Sequence, residues 1–128
     1  MNIELLTKVA YQAGFRHTSL LIAICVGLAE SKGDPQAEGD VDLQTDKWGP
    51  SVGLWQIRSL KNSEKYTKPD NLRVYDDLFD PIKNAEAAFE ISKHGTDFSP
   101  WSTFINNDYR QYINIVIDYL NENKFNVN

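Results

Sequence analysis

The chain has 128 residues, with 13 Lys and Arg against 18 Asp and Glu, and a formal net charge of −5. That length amounts to roughly one domain, residues 1–128, able to bury a core without staples, and a composition that is 41% hydrophobic and 24% charged argues against wholesale disorder. The acidic balance and scattered cations exclude a nucleic-acid partner, which needs clustered Lys and Arg. The longest apolar run, Leu20 to Ala29, is about half of what a bilayer span requires, so no membrane insertion is expected. Met1-Asn2-Ile3-Glu4 shows no basic region leading into an apolar stretch, so no signal peptide is expected either. Cys25 lies inside the apolar run and reads as a packed core thiol.

Taken in chain order, the apolar periodicity is helical and predicts a mainly α fold. The first helix uses Leu5, Leu6, Val9, Ala10 and Ala13 as its buried stripe and stops at Gly14. Thr18 or Ser19 then caps a second helix through Leu20, Leu21, Ile24, Cys25 and Leu28. Almost every side chain from Leu20 to Ala29 is apolar, so this helix is predicted to be central and surrounded by protein.

From Lys32 to Pro50 the chain collects Gly33, Asp34, Pro35, Gly39, Asp40, Asp42, Asp46 and Gly49, which reads as a loop with room for a short hairpin. Ser51 to Ile57 is more apolar, and polar residues resume from Arg58 to Asp77. A third helix starts at Asp80-Pro81, an acceptor at the cap followed by proline in the first turn, presents Ile82, Ala85, Ala88 and Phe89, and ends at Gly95. The last helix carries Tyr109, Tyr112, Ile113, Val116, Ile117 and Leu120, the clearest stripe in the chain, and the tail from Asn121 is expected to fray.

Glu30 is out of character with its surroundings. It directly follows the apolar run and precedes Ser31-Lys32-Gly33-Asp34-Pro35, which stop the helix. Burial disfavours a carboxylate there, and the negative pole of the helix C-terminus disfavours it again, so both raise its pKa. A carboxylic acid that keeps its proton near neutral pH is what a general acid requires. The alternative is that Glu30 has simply reached solvent at the helix end. About twenty residues on, Gly53-Leu54-Trp55-Gln56-Ile57 offers side chains that recognise a sugar: a ring face for Trp55, a donor and an acceptor on Gln56, and close backbone approach at Gly53. Its alternative reading is a small hydrophobic cluster.

Together, Glu30-Ser31 and Gly53-Leu54-Trp55-Gln56-Ile57 resemble the lysozyme-like, transglycosylase SLT family, especially the small domains of bacteriophage tail proteins and endolysins. Asn84-Ala85, Ala88 and the segment from Gly95 to Trp101-Ser102 add to the resemblance, which covers roughly Leu5 to Leu120. It implies a lysozyme-like helical fold, with a central buried helix and a loop or small hairpin forming the wall of a cleft. The implied activity is cleavage of the β-1,4 bond between N-acetylmuramic acid and N-acetylglucosamine in peptidoglycan. Glu30 matches the family's catalytic acid, Ser31 its partner, and Gln56 the cleft glutamine of a Gly-Leu-Met-Gln segment, with Trp55 in place of the methionine. No clear Ala-Tyr-Asn-Ala-Gly segment is present, and Asn106-Asn107-Asp108-Tyr109 is the nearest stretch.

A transglycosylase needs only the one carboxyl group, whereas an inverting hydrolase needs a second carboxylate to activate water. Asp40, Asp42 and Asp46 lie between the two motifs, and Asp46 is preferred for its closeness in sequence to Trp48 and Ser51. Ser51 has no histidine partner and reads as a cleft residue instead of a nucleophile. Trp101 is either a core wedge or a sugar platform, and Tyr109 packs in the last helix's stripe with its hydroxyl within reach of the cleft. His17 and His94 stand apart from other ligand types, so neither a metal nor another cofactor is expected. The expected partner is the peptidoglycan glycan strand, with other phage tail proteins as further candidates, and the place of action is the bacterial cell wall, reached as a virion component or a released phage lysin. The competing hypothesis is a non-catalytic wall-binding or tail structural module of the same fold.

Overall fold

A computed structural model describes residues 1–125. Among the described residues there are five α-helices and one small sheet: α1 (Ile3–Ala13), α2 (His17–Ser31), β1 (Glu38–Gly39), β2 (Trp48–Val52), β3 (Ile57–Leu60), α3 (Pro81–Ile91), α4 (Ser102–Ile105) and α5 (Ile113–Glu122). The expected hairpin is a three-stranded antiparallel sheet in the order β1-β2-β3, with Gly39 opposite Ser51 and Val52 opposite Ile57. Among the described residues no helix is long and apolar enough to cross a membrane.

The mainly helical prediction and the central position of α2 hold. Leu20 and every residue from Ala23 to Leu28 are buried, Cys25 among them, and burial pushes the Cys25 thiol up to about 12. Gly27 is in this helix because α1 crosses close by: a Cβ there would stand 2.6 Å from Leu6 Cδ2. Trp55 fills the space under the helix, its indole nitrogen donating to Ala23 O at 2.9 Å, and Phe15 stacks on it at 6.4 Å between ring centres.

Several expected boundaries move. Helix α2 begins at His17, before Thr18 and Ser19; the Ser19 hydroxyl instead accepts from the Arg16 N–H at 3.1 Å and closes the first turn from inside. Helix α3 does start on Asp80, whose side chain accepts from Ile82 N at 2.9 Å, but it stops at Ile91, and Gly95 belongs to the following turn. Ile82 is exposed, and the face it was assigned to is completed by Asn84, Ala85, Ala87 and Ala88. The aromatic start of the last helix, Asp108–Tyr112, is a tighter 3₁₀ turn, which buries Tyr109 before α5 begins. Residues 121–125 are ordered where fraying was expected: Phe125 N–H donates to Leu120 O at 2.8 Å and its ring meets Tyr11 edge-on at 5.4 Å. The rest of that tail, 126–128, lies outside the described residues.

Candidate active site

The sheet turns against the end of α2, and a groove lies between them. Lys32, in the left-handed conformation at φ 56°, stops α2 and leaves Glu30 and Ser31 on its last turn. Ser31 holds that end in place: its hydroxyl donates to Leu54 O at 2.8 Å and accepts from Gly33 N–H at 3.1 Å. The β2–β3 turn, Gly53 to Gln56, is gripped from the other side by Asn84, which is fully buried. Its amide donates to Val52 O and Leu78 O at 2.8 and 2.9 Å, and its oxygen accepts from Trp55 N–H at 3.0 Å. Gly53 sits at φ 78° directly against that amide, where any Cβ would overlap it. Trp101 closes the knot with an indole N–H to Trp55 O at 2.8 Å.

Above this buried knot lies a cleft of about 400 Å³ lined by residues of α2 (Glu30), the β1 region (Gly39, Asp40), the sheet (Ser51, Gln56, Ile57, Arg58), Arg73, the end of α3 (Ile91) and the segment Pro100, Trp101 and Ser102. Glu30 is half-buried in its wall, not projecting into bulk water. Burial is the main influence on its carboxyl and raises the pKa; the nearby carboxylates Asp40 and Asp108 raise it further, while a 2.7 Å hydrogen bond donated by Thr103 Oγ1 to Glu30 Oε2 pulls the other way.

Of the residues selected from sequence, the cleft brings together Glu30, Ser51, Gln56 and Trp101. Ser31 stands behind Glu30 as the tether just described. Trp55 is not a sugar platform: its ring is wholly buried in the core, because the tight turn that presents Gln56 to the cleft aims the preceding side chain inward. Gln56 reaches the cleft from a left-handed backbone at φ 47°, and its amide nitrogen is spent on Ala37 O and Gly53 O at 3.0 and 3.1 Å. Asp46 is exposed and outside the cleft: its loop lies against the end of β3, where Lys61 N–H donates to Lys47 O and Lys61 Nζ donates to Thr45 O, both at 2.8 Å. Asp40, beside Gly39 on the strand paired to Ser51, takes the cleft position instead and accepts a 2.5 Å hydrogen bond from Ser51 Oγ. Tyr109 packs on Phe104 at 4.9 Å and is not a cleft residue.

Three contributors carried no signal in the sequence reading. Thr103 is far from Glu30 along the chain, and Arg58 and Arg73 stood in a stretch read only as polar. The reading of Trp101 as either a core wedge or a sugar platform, with the resemblance of the segment from Gly95 to Ser102, was the hint that the chain after α3 returns to the cleft. Among the described residues no group of three or more His, Cys, Asp and Glu is arranged to hold a metal ion.

A family model described as a lysozyme like domain matches residues 7–103, about three quarters of the chain, and that range contains every cleft residue named above. No curated protein and no solved structure gives a match.

Proposed function

The chain belongs to the lysozyme-like domain family, and from that membership and the cleft we propose that it cleaves the β-1,4 bond between N-acetylmuramic acid and N-acetylglucosamine in bacterial peptidoglycan, with Glu30 as general acid. The observation that carries this reading is a half-buried carboxyl in a cleft wall whose surroundings favour its protonated form. A glycosidic oxygen leaves as a poor alkoxide unless it is protonated as the bond breaks, and a carboxyl whose pKa is raised above the ordinary range is suited to supply that proton. Thr103 restrains that carboxyl by donating to one of its oxygens.

The oxygen that attacks the anomeric carbon, from water or from the sugar's own C6 hydroxyl, decides between hydrolysis and ring closure. Asp40 supports hydrolysis, because it sets a second carboxylate in the same cleft with one oxygen anchored by Ser51. In that role it takes a proton from water attacking the anomeric carbon while Glu30 gives its proton to the leaving oxygen. Gln56 and Trp101, with Ile91 and Pro100, form the surface that receives the sugars. Delivery as a virion component or a released phage lysin would bring the cleft to the wall.

Purified Glu30→Gln is expected to release soluble fragments from cell walls at least about a hundredfold more slowly while its melting transition is retained, given the usual size of a general acid's contribution. Undiminished release would overturn the assignment, and wall binding by the unaltered protein with no release at all would instead favour a non-catalytic wall-binding module. Mass spectrometry of the fragments separates the two chemistries: reducing ends accord with Asp40 as base, and 1,6-anhydro ends would leave Glu30 acting alone.

A further inference from the structure

The cleft is not uniformly acidic. Two guanidinium groups, Arg58 and Arg73, line it together with Glu30 and Asp40, in a protein whose formal charge is −5. Both are held by backbone oxygens. Arg58 donates through Nε to Gly49 O and through Nη2 to Leu43 O, and Arg73 donates through Nη1 to Arg58 O at 3.1 Å. Arg73 also pairs with Asp70 at 3.0 Å, while Arg58 enters no ion pair among the described residues. Those bonds leave N–H groups of Arg58 Nη1 and Arg73 Nη2 unspent. Arg58, a half-buried cation fixed by neutral carbonyls, is expensive to keep without an anion, Arg73 beside it keeps a free edge beyond its pairing with Asp70, and a guanidinium presents the planar fork that a carboxylate fits.

Resting on the glycan-cleaving reading, we infer that Arg58 and Arg73 form a subsite for a carboxylate carried on the lactyl side of the muramic acid residue. That carboxylate has two sources in the polymer: the peptide stem, or the lactyl group itself where the stem has been removed. The pair thus distinguishes peptidoglycan from an uncharged polymer of N-acetylglucosamine, and places the lactyl side of the sugar toward the sheet, away from the helical wall that carries Glu30. It also offsets the repulsion between an acidic protein and an anionic wall at the one place where they meet.

The test compares three forms of one wall preparation: native peptidoglycan, the same material with its carboxylates capped as methylamides, and strands stripped of stems by an amidase. Arg73→Gln should lower kcat/KM on native peptidoglycan about 10- to 100-fold, chiefly through KM, the loss expected for one charge-assisted contact. Capping should cost the unaltered protein a similar factor, and the two losses should not add. Sensitivity to Arg73→Gln on native material alone identifies the stem, and sensitivity retained on stripped strands, where the lactyl carboxyl is freed from its amide, shows that the subsite takes that carboxylate as well. Arg73→Lys should recover part of the loss, since the charge returns without the fork. Arg58→Gln should act in the same direction, and because it also releases Leu43 and Gly49 its melting temperature is read alongside.

A loss equal on capped and native walls would overturn the subsite. Co-sedimentation in the Glu30→Gln background, where nothing is cut, reads the same difference as binding. If the unaltered protein cuts none of the walls while that binding difference persists, the glycosidase reading fails and the carboxylate contact stands; if neither cutting nor the difference is seen, both fail.

Discussion

The two sides of the cleft are built differently. The helical side, with Glu30, Ile91 and Trp101, is a continuation of the core, and its one ionisable group owes its behaviour to burial. The sheet side, with Asp40, Ser51, Gln56 and Arg58, is a layer of polar side chains on short strands and the turns that flank them, each fixed by a hydrogen bond to backbone or to a neighbour. One side adjusts a proton by excluding water, and the other supplies charge and hydrogen bonds without entering the core. Adjacent residues show the division most directly, since Trp55 belongs to the first construction and Gln56 to the second.

That contrast can be broken at its foundation. Trp55→Ala removes a wholly buried ring and its bond to Ala23 O, and leaves Phe15 facing a void. The expected loss is about 3–5 kcal/mol in a denaturant titration, with activity lost in proportion to the unfolded fraction. Gln56→Ala should cost only about 1–2 kcal/mol for two hydrogen bonds, yet reduce cleavage in the fully folded protein, as measured on walls under conditions where both variants remain native. Equal stability losses at the two positions would mean that the turn does not separate them.

The same pair marks how far the sequence could be read. The apolar runs gave α2, its burial and the position of Glu30 at its end, because helical periodicity is a local property that needs no knowledge of partners. A four-residue turn has no period, so Gly53-Leu54-Trp55-Gln56-Ile57 left the Trp55 ring open between a sugar platform and a small hydrophobic cluster of Leu54, Trp55 and Ile57, and the fold realises the cluster. Choosing Asp46 over Asp40 failed for a related reason: which aspartate reaches the cleft depends on β1 pairing with β2, a contact between segments that a two-residue strand hardly announces. Thr103 reaches Glu30 only once the segment after α3 has folded back over α2.

The helical side can be probed without substrate. Burial raises the Glu30 carboxyl above its unfolded value, so the protonated group favours the fold at pH below the ordinary carboxyl range, and that contribution is lost as pH rises through the higher folded value. Glu30→Gln should therefore melt at a higher temperature than the unaltered protein at neutral pH, with the difference shrinking toward zero as pH falls below about 4. A difference independent of pH would mean that Glu30 ionises in the fold as freely as in the unfolded chain.

The smallest effects discriminate best, because one contact from each wall acts on Glu30 with opposite sign. Asp40 raises its pKa by like charge, and the Thr103 hydroxyl lowers it by donating to the ionised carboxylate. If Glu30 acts as an acid, activity falls as pH rises through its pKa, and this alkaline limb in kcat/KM reports the free protein. Asp40→Asn should move the limb to lower pH along with any loss of rate, and Thr103→Val should move it to higher pH while keeping the side chain's volume. The directions are fixed by the signs of the two interactions and do not depend on how much rate each variant loses. Shifts of the same sign would show that the limb belongs to another group, and no shift in either would show that burial alone sets the proton, with the sheet side contributing only contacts to the sugar.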